Sequence, residues 1–220
     1  MVVLVMVALA AAASAVAIPW MPGTRTLHWW IVLPVLAAGT TVSMRRATTA
    51  GLHRGGREVV VVPVGQYFFA AALLLDPVWI VALSIGVPSL RPPPRSIGVR
   101  CHRLITMLAA SATFWALFGH ERLQLTGRYG WRLLGAVVAA MLVHSLTETV
   151  LVTLAVRFTF GTKASETNIW NVYSWTRDLW ELAIGAIGAI LAVVQPGLLL
   201  LMLPIAALAV EHVRLEREVN

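Results

Sequence analysis

Cysteine is nearly missing from this chain. Cys101 stands alone in 220 residues, which excludes an internal disulfide and any metal site built on several thiolates. Charge is scarce too: Asp, Glu, Lys and Arg make up 12% of the chain, against about 25% in an average soluble domain. A soluble fold of this length needs more polar surface than that to stay dispersed. Catalytic signatures are missing as well. There is no Gly-rich phosphate loop, no Gly-x-Ser-x-Gly elbow and no His-Glu-x-x-His helix. His28, His53, His102 and His120 flank apolar runs and form no close-spaced ligand cluster. The expectation is a chain that is not an enzyme, uses no cofactor and holds no metal.

What is present is apolar, at 59% of residues. Eight apolar runs lie near 2–20, 28–44, 59–75, 77–90, 104–119, 132–156, 180–194 and 197–212. Several fall short of the ~20 residues of a straight membrane crossing. Asp76-Pro77 divides the third run from the fourth, because Pro lacks an N–H and clashes with the preceding turn. That pair reads as a hairpin of two short helices or a re-entrant element. Gln195-Pro196-Gly197 marks a second tight turn, between the last two runs. Trp20, Trp29, Trp30, Trp131, Trp170, Trp175 and Trp180 fall at or near the ends of apolar runs, where amphipathic rings prefer the headgroup level.

Val2 to Ile18 is Ala-rich, and Ala13-Ser14-Ala15 resembles a signal-peptidase site. No basic residue precedes it, so it reads as a retained first span. With the amino terminus in the cytoplasm, alternation puts Arg45, Arg46, Arg54, Arg57, Arg91, Arg95, Arg100, Arg103, Arg157, Lys163, Arg177, Arg214 and Arg217 inside. Arg25, Arg122, Arg128 and Arg132 are left outside, a split of thirteen to four. The net charge of +7 is thereby explained by the membrane and implies no nucleic-acid partner. The predicted fold is all-α: a polytopic transmembrane bundle of about six to eight short spans over residues 1–210, with two short hairpins and a cytoplasmic exit helix over 211–220. Segment 158–179, with Phe158, Phe160, Trp170, Tyr173 and Trp175 among its charges, is expected to lie along the interface.

His144 and Glu148 are the sharpest candidates for chemistry. Four residues apart, they share a helix face in the sixth run, with Thr147 and Thr149 beside them. An ionisable group in mid-membrane costs about 2.5–3.5 kcal/mol on insertion scales and turns toward a cavity or a partner. Two readings stay open: a proton-sensing or ligand-binding pair, and a polar lock between helices. Asp76, before Pro77, is expected to cap the next helix at the outer tip of a hairpin, where it could also line a ligand cavity. Arg100-Cys101-His102-Arg103 opens the fifth run and reads as an anchor to lipid headgroups. Gly185, Gly188, Ala189 and Ala192 give the seventh run a small face for close packing.

The last apolar run passes into Glu211-His212-Val213-Arg214-Leu215-Glu216-Arg217-Glu218-Val219-Asn220 with no helix breaker after Pro204. Leu208, His212, Leu215 and Val219 follow 4-3-4 spacing, and Glu211 and Arg214 can pair along the helix. This is either a charged helix end that anchors the last span or a signalling helix that pairs two copies.

The order of elements resembles the multi-span, MASE-like sensory regions that precede GGDEF diguanylate cyclase or HD-type phosphohydrolase domains in many bacteria. The residues that carry the likeness are His53-Arg54-Gly55-Gly56-Arg57-Glu58, the break at Leu75-Asp76-Pro77, the loop Arg91-Pro92-Pro93-Pro94-Arg95, the polar centre Thr147-Glu148-Thr149, and the exit Leu215-Glu216-Arg217-Glu218-Val219-Asn220. The resemblance implies a sensory domain of the bacterial inner membrane, homodimeric through its exit helix. It would couple a ligand or membrane signal to a cytoplasmic effector of cyclic-dinucleotide turnover. The sequence departs from that pattern at Glu148, where an amide is expected, and it carries no effector domain. Without that likeness, the runner-up is a small transporter or a substrate-binding membrane subunit.

Overall fold

The computed structural model describes residues 2–20, 29–46, 65–86, 97–119, 130–160, 172–201 and 204. All regular structure among them is helical. Helix α1 runs Val2–Trp20 and α2 Trp29–Arg46. Next come α3, Gly65–Leu74, and α4, Pro77–Val81, which continues as a π-helical turn over Ala82–Gly86. The longer helices are α5, Ile97–Phe118, α6, Gly130–Phe160, and α7, Val172–Val194. A 3₁₀ segment, Pro196–Leu201, follows.

Among the described residues, two stretches are long and apolar enough to cross a membrane: Arg100–Phe118 in α5 and Gly130–Ala155 in α6. Shorter apolar helices cover Val3–Ile18, Val32–Thr41, Gly65–Leu74 and Pro77–Gly86. Hydroxyls are hidden inside these helices. Ser14, Thr40, Thr41, Thr113 and Thr149 each donate to the carbonyl four residues back, at 2.7–2.9 Å. One face of α6 is apolar and uncovered, through Trp131, Leu134, Val138, Leu142, Leu146, Val150, Leu154 and Phe158. A bare apolar face of that length is a surface for lipid or protein rather than for water.

Helices α5 and α6 form the most extensive contact in the bundle. They run antiparallel: Arg132 Nε, at the start of α6, donates to the Leu117 carbonyl, at the end of α5, at 3.0 Å. At the opposite end His102 lies against the backbone of Glu148. Helix α3 occupies the middle. Every residue from Gln66 to Leu74 is buried, and its neighbours are α2, α4, α5 and α7. Gly185 of α7 makes this closeness possible, since a Cβ there would collide with the Gln66 carbonyl oxygen. Gly39 of α2 admits the Tyr67 ring in the same way.

The chain reverses between α3 and α4. Leu73 shares a small apolar crevice with Phe114 of α5, whereas Ser84 donates to the Met107 sulfur at 3.1 Å, about two turns back toward the start of α5. The hairpin expected at Asp76-Pro77 is therefore present, with Pro77 opening α4. The expected cap is not. Asp76 holds the N-cap position with an extended backbone (φ −68°, ψ 153°), but its side chain makes no cap bond. Its carbonyl instead accepts from Trp79 N at 2.9 Å and Ile80 N at 3.1 Å. Nor is the tip open, for Asp76 is buried.

Two boundaries correct the sequence reading. Helix α7 begins at Val172 rather than near 180, so residues 172–179 of the expected interfacial segment are continuous with the seventh run, while 161–171 lie outside the described residues. The fifth run, expected from about 104, is helical already from Ile97, so Arg100–Arg103 lie inside α5. The turn at Gln195-Pro196-Gly197 is present, but Pro196–Leu201 starts as 3₁₀ rather than α-helix.

Candidate functional site

The site grows from the antiparallel register of α5 and α6. That register brings residue 102 opposite residue 148, with α3 packed on α5 and its Phe69 reaching His144 of α6. His144 is buried on the inner face of α6, and its ring meets Phe69 of α3 edge-on with centroids 5.8 Å apart. One turn on, Glu148 directs Oε2 to 3.7 Å from His144 Nδ1, beyond hydrogen-bond length. The two side chains differ in access: His144 is 5% exposed and Glu148 40%. The carboxylate thus sits on the rim and the imidazole behind it.

Across the interface His102 is half-buried and lies against the backbone of Glu148. Three polar atoms of this patch have no hydrogen-bond partner among the described residues: His102 Nε2, His144 Nδ1 and Ser145 Oγ. Buried groups of that kind are uncommon in a settled interior. Arg103 stands next to His102, with its guanidinium 4.9 Å above the Phe68 ring. A second carboxylate, Glu181 of α7, reaches the amino end of α3, where Gly65 leaves it room. That end attracts negative charge.

Of the residues singled out from the sequence, His144 and Glu148 are brought together. Thr147 is half-buried beside them, and Thr149 donates to the Ser145 carbonyl at 2.8 Å. Asp76 is not part of this group. It follows Leu73, which packs with Phe114, Leu133 and Val193 at the other end of the bundle. Glu211, Arg214, Leu215 and Val219 lie outside the described residues. The sequence reading did not connect His102, Phe69 or Glu181 to the site. His102 carried a usable signal: opposed antiparallel helices joined by a short segment pair the start of one with the end of the other.

The crevice lined by Leu73, Phe114, Leu133, Val137, Ala189, Ile190 and Val193 is wholly apolar and includes neither His144 nor Glu148. Among the described residues no three His, Cys, Asp or Glu side chains are placed to hold a metal ion. What the patch can do is take up, release and pass protons, or pair with a small cationic group at the exposed edge of Glu148. The chain matches no protein-family model, no curated protein and no solved structure.

Proposed function

We propose that this chain is a polytopic membrane bundle of about six to eight short spans, with both termini in the cytoplasm of a bacterial inner membrane. It serves as a sensory input module, not as an enzyme. The observation that carries this reading is an ionisable patch, His102, His144 and Glu148, held between the two helices long and apolar enough to cross a membrane. Intramembrane ionisable groups mark functional positions more often than structural ones, because each is costly to keep there.

The helix ends support the threading. The starts of α3 and α5 meet, through Phe68 beside Arg103, on the side of the bundle toward which α6 ends, with Glu148 beside His102, and from which α7 begins, with Glu181 beside Gly65. Alternation of the apolar runs assigns these same four ends to the inside. The exit helix then carries the output, by pairing two copies and changing how a cytoplasmic effector is held, with cyclic-dinucleotide turnover as the suggested process.

Thiol mapping tests the threading. In a Cys101→Ser background, single cysteines replace Thr49, Ser96, Thr167 or Thr126. On intact cells an impermeant maleimide should label Thr126→Cys and spare the other three. Labelling of any of those three from outside would overturn the orientation. Deleting residues 211–220 should abolish self-association, and a shortened chain that still dimerises would remove the exit-helix argument.

One observation favours a second reading, a small transporter or substrate-binding membrane subunit. The α3–α4 hairpin ends on a buried carboxyl, Asp76, in the manner of elements that close a solute site. Such a subunit would keep its function without residues 211–220, whereas an input module would not.

A further inference from the structure

We infer that the signal read at this site is the proton, shared among His102, Glu148 and His144 so that pH sets the contact between α5 and α6. The inference rests on the input-module reading above and names its ligand. The geometry supplies one carboxylate for two imidazoles. His144 is on the same helix as Glu148, one turn away at 3.7 Å, while His102 lies against the Glu148 backbone from the neighbouring helix, within reach of a rotated carboxylate. A proton on His144 gives an ion pair within α6. A proton on His102 gives one that ties α6 to α5. With both rings charged the carboxylate serves both, and with neither charged no imidazolium balances it. Each change is the gain or loss of one proton at an imidazole nitrogen or a carboxylate oxygen.

The surroundings suit this exchange. Glu148 is the open member of the group, so protons can arrive at its exposed edge and pass inward to His144, whose Nδ1 has no hydrogen-bond partner among the described residues. From α5 the other charges at this end are Arg100 and Arg103. From α3 come Phe68 and Phe69, and Tyr67 is its only ionisable residue. Helix α1 carries none, and α7 contributes Asp178 and Glu181, the latter beside Gly65.

The test uses the full chain in lipid nanodiscs with ¹⁵N-labelled histidine. His102→Gln and His144→Gln identify the two ring signals, and Glu148→Gln, an isosteric change at a half-exposed position, removes the shared acceptor's charge. Glu148→Gln should move both imidazole titrations to lower pH together. Titrations left in place, or a change at His144 alone, would overturn the sharing. Spin labels on Ile97→Cys and Phe158→Cys, both exposed, in a Cys101→Ser background, should report an α5–α6 separation that changes with pH and is constant in Glu148→Gln. A separation constant with pH in the parent would overturn the coupling. Failure of the thiol mapping would overturn the orientation, and a shortened chain that still dimerises would remove the exit-helix output, while either result leaves these titrations interpretable, since they depend only on the packing of α5 against α6.

Discussion

At the scale of single residues, glycine separates packed positions from open ones. Gly185 faces the Gln66 backbone, which cannot yield as a flexible side chain would, whereas an added Cβ at Gly135 meets nothing within 4 Å. Gly185→Ala should therefore destabilise the bundle by about 1–3 kcal/mol, the range for overpacking. Gly135→Ala should be neutral or stabilise it by up to about 1 kcal/mol, from helix propensity. Unfolding in mixed micelles would compare the two, and equal behaviour would contradict the close approach of α3 to α7. Phe69→Ala removes a fully buried ring beside His144 and should cost about 3–5 kcal/mol. The small face of α7 was legible in the sequence because small-residue spacing is local. The partner it meets was not, since nothing near Gly185 says that Gln66 lies opposite. The candidate pair itself was legible for the same local reason, as four-residue spacing in one helix is visible without a fold. His102 was not, because its place at Glu148 depends on the register of two helices.

At the scale of elements, breaks written by proline are where the sequence placed them, and breaks inferred from charge are not. Asp76-Pro77 ends one helix and starts another because the missing N–H and the ring clash act within a single turn. Asp178 and Glu181 lower the local hydropathy, yet they leave the backbone bonding of α7 intact, so the helix runs through them from Val172. Hydropathy locates apolar surface, while helix ends are set by backbone bonding. If α7 is one rod, a proline at the exposed position Thr176 should cost about 3 kcal/mol or more. Thermal unfolding of Thr176→Pro measures it. A loss of a few tenths of a kcal/mol would show that the first turns contribute little.

At the scale of the whole molecule, the all-helical class followed from composition, since scarce charge and repeated apolar runs leave few alternatives. The arrangement did not. Ten residues of α3, too short to span a membrane, sit buried among α2, α4, α5 and α7. The sequence gives α3 no distinguishing mark beyond its brevity, because being buried on every side is a property of its neighbours. The bare apolar face of α6 makes a matching forecast for the whole: replacing Leu142 or Leu146 with Asp should hinder membrane insertion, at about 2.5–3.5 kcal/mol per charge near a helix centre. Glycosylation-site mapping of the inserted fraction would read that loss.

The central place of α3 also bears on how the protein is made. The chain emerges from the ribosome in order, so α3 and α4 appear before α5 and α7, the helices that cover them. A hairpin of two short helices cannot hold itself across a bilayer, and its stable seat is built only later. Translation must therefore leave α3 waiting, at the membrane surface or in the care of the insertion machinery, until α7 arrives with Gly185 to receive it. Arrested nascent chains that end before Val172 should keep Gln66→Cys open to thiol reagents, and chains that extend past Val194 should close it.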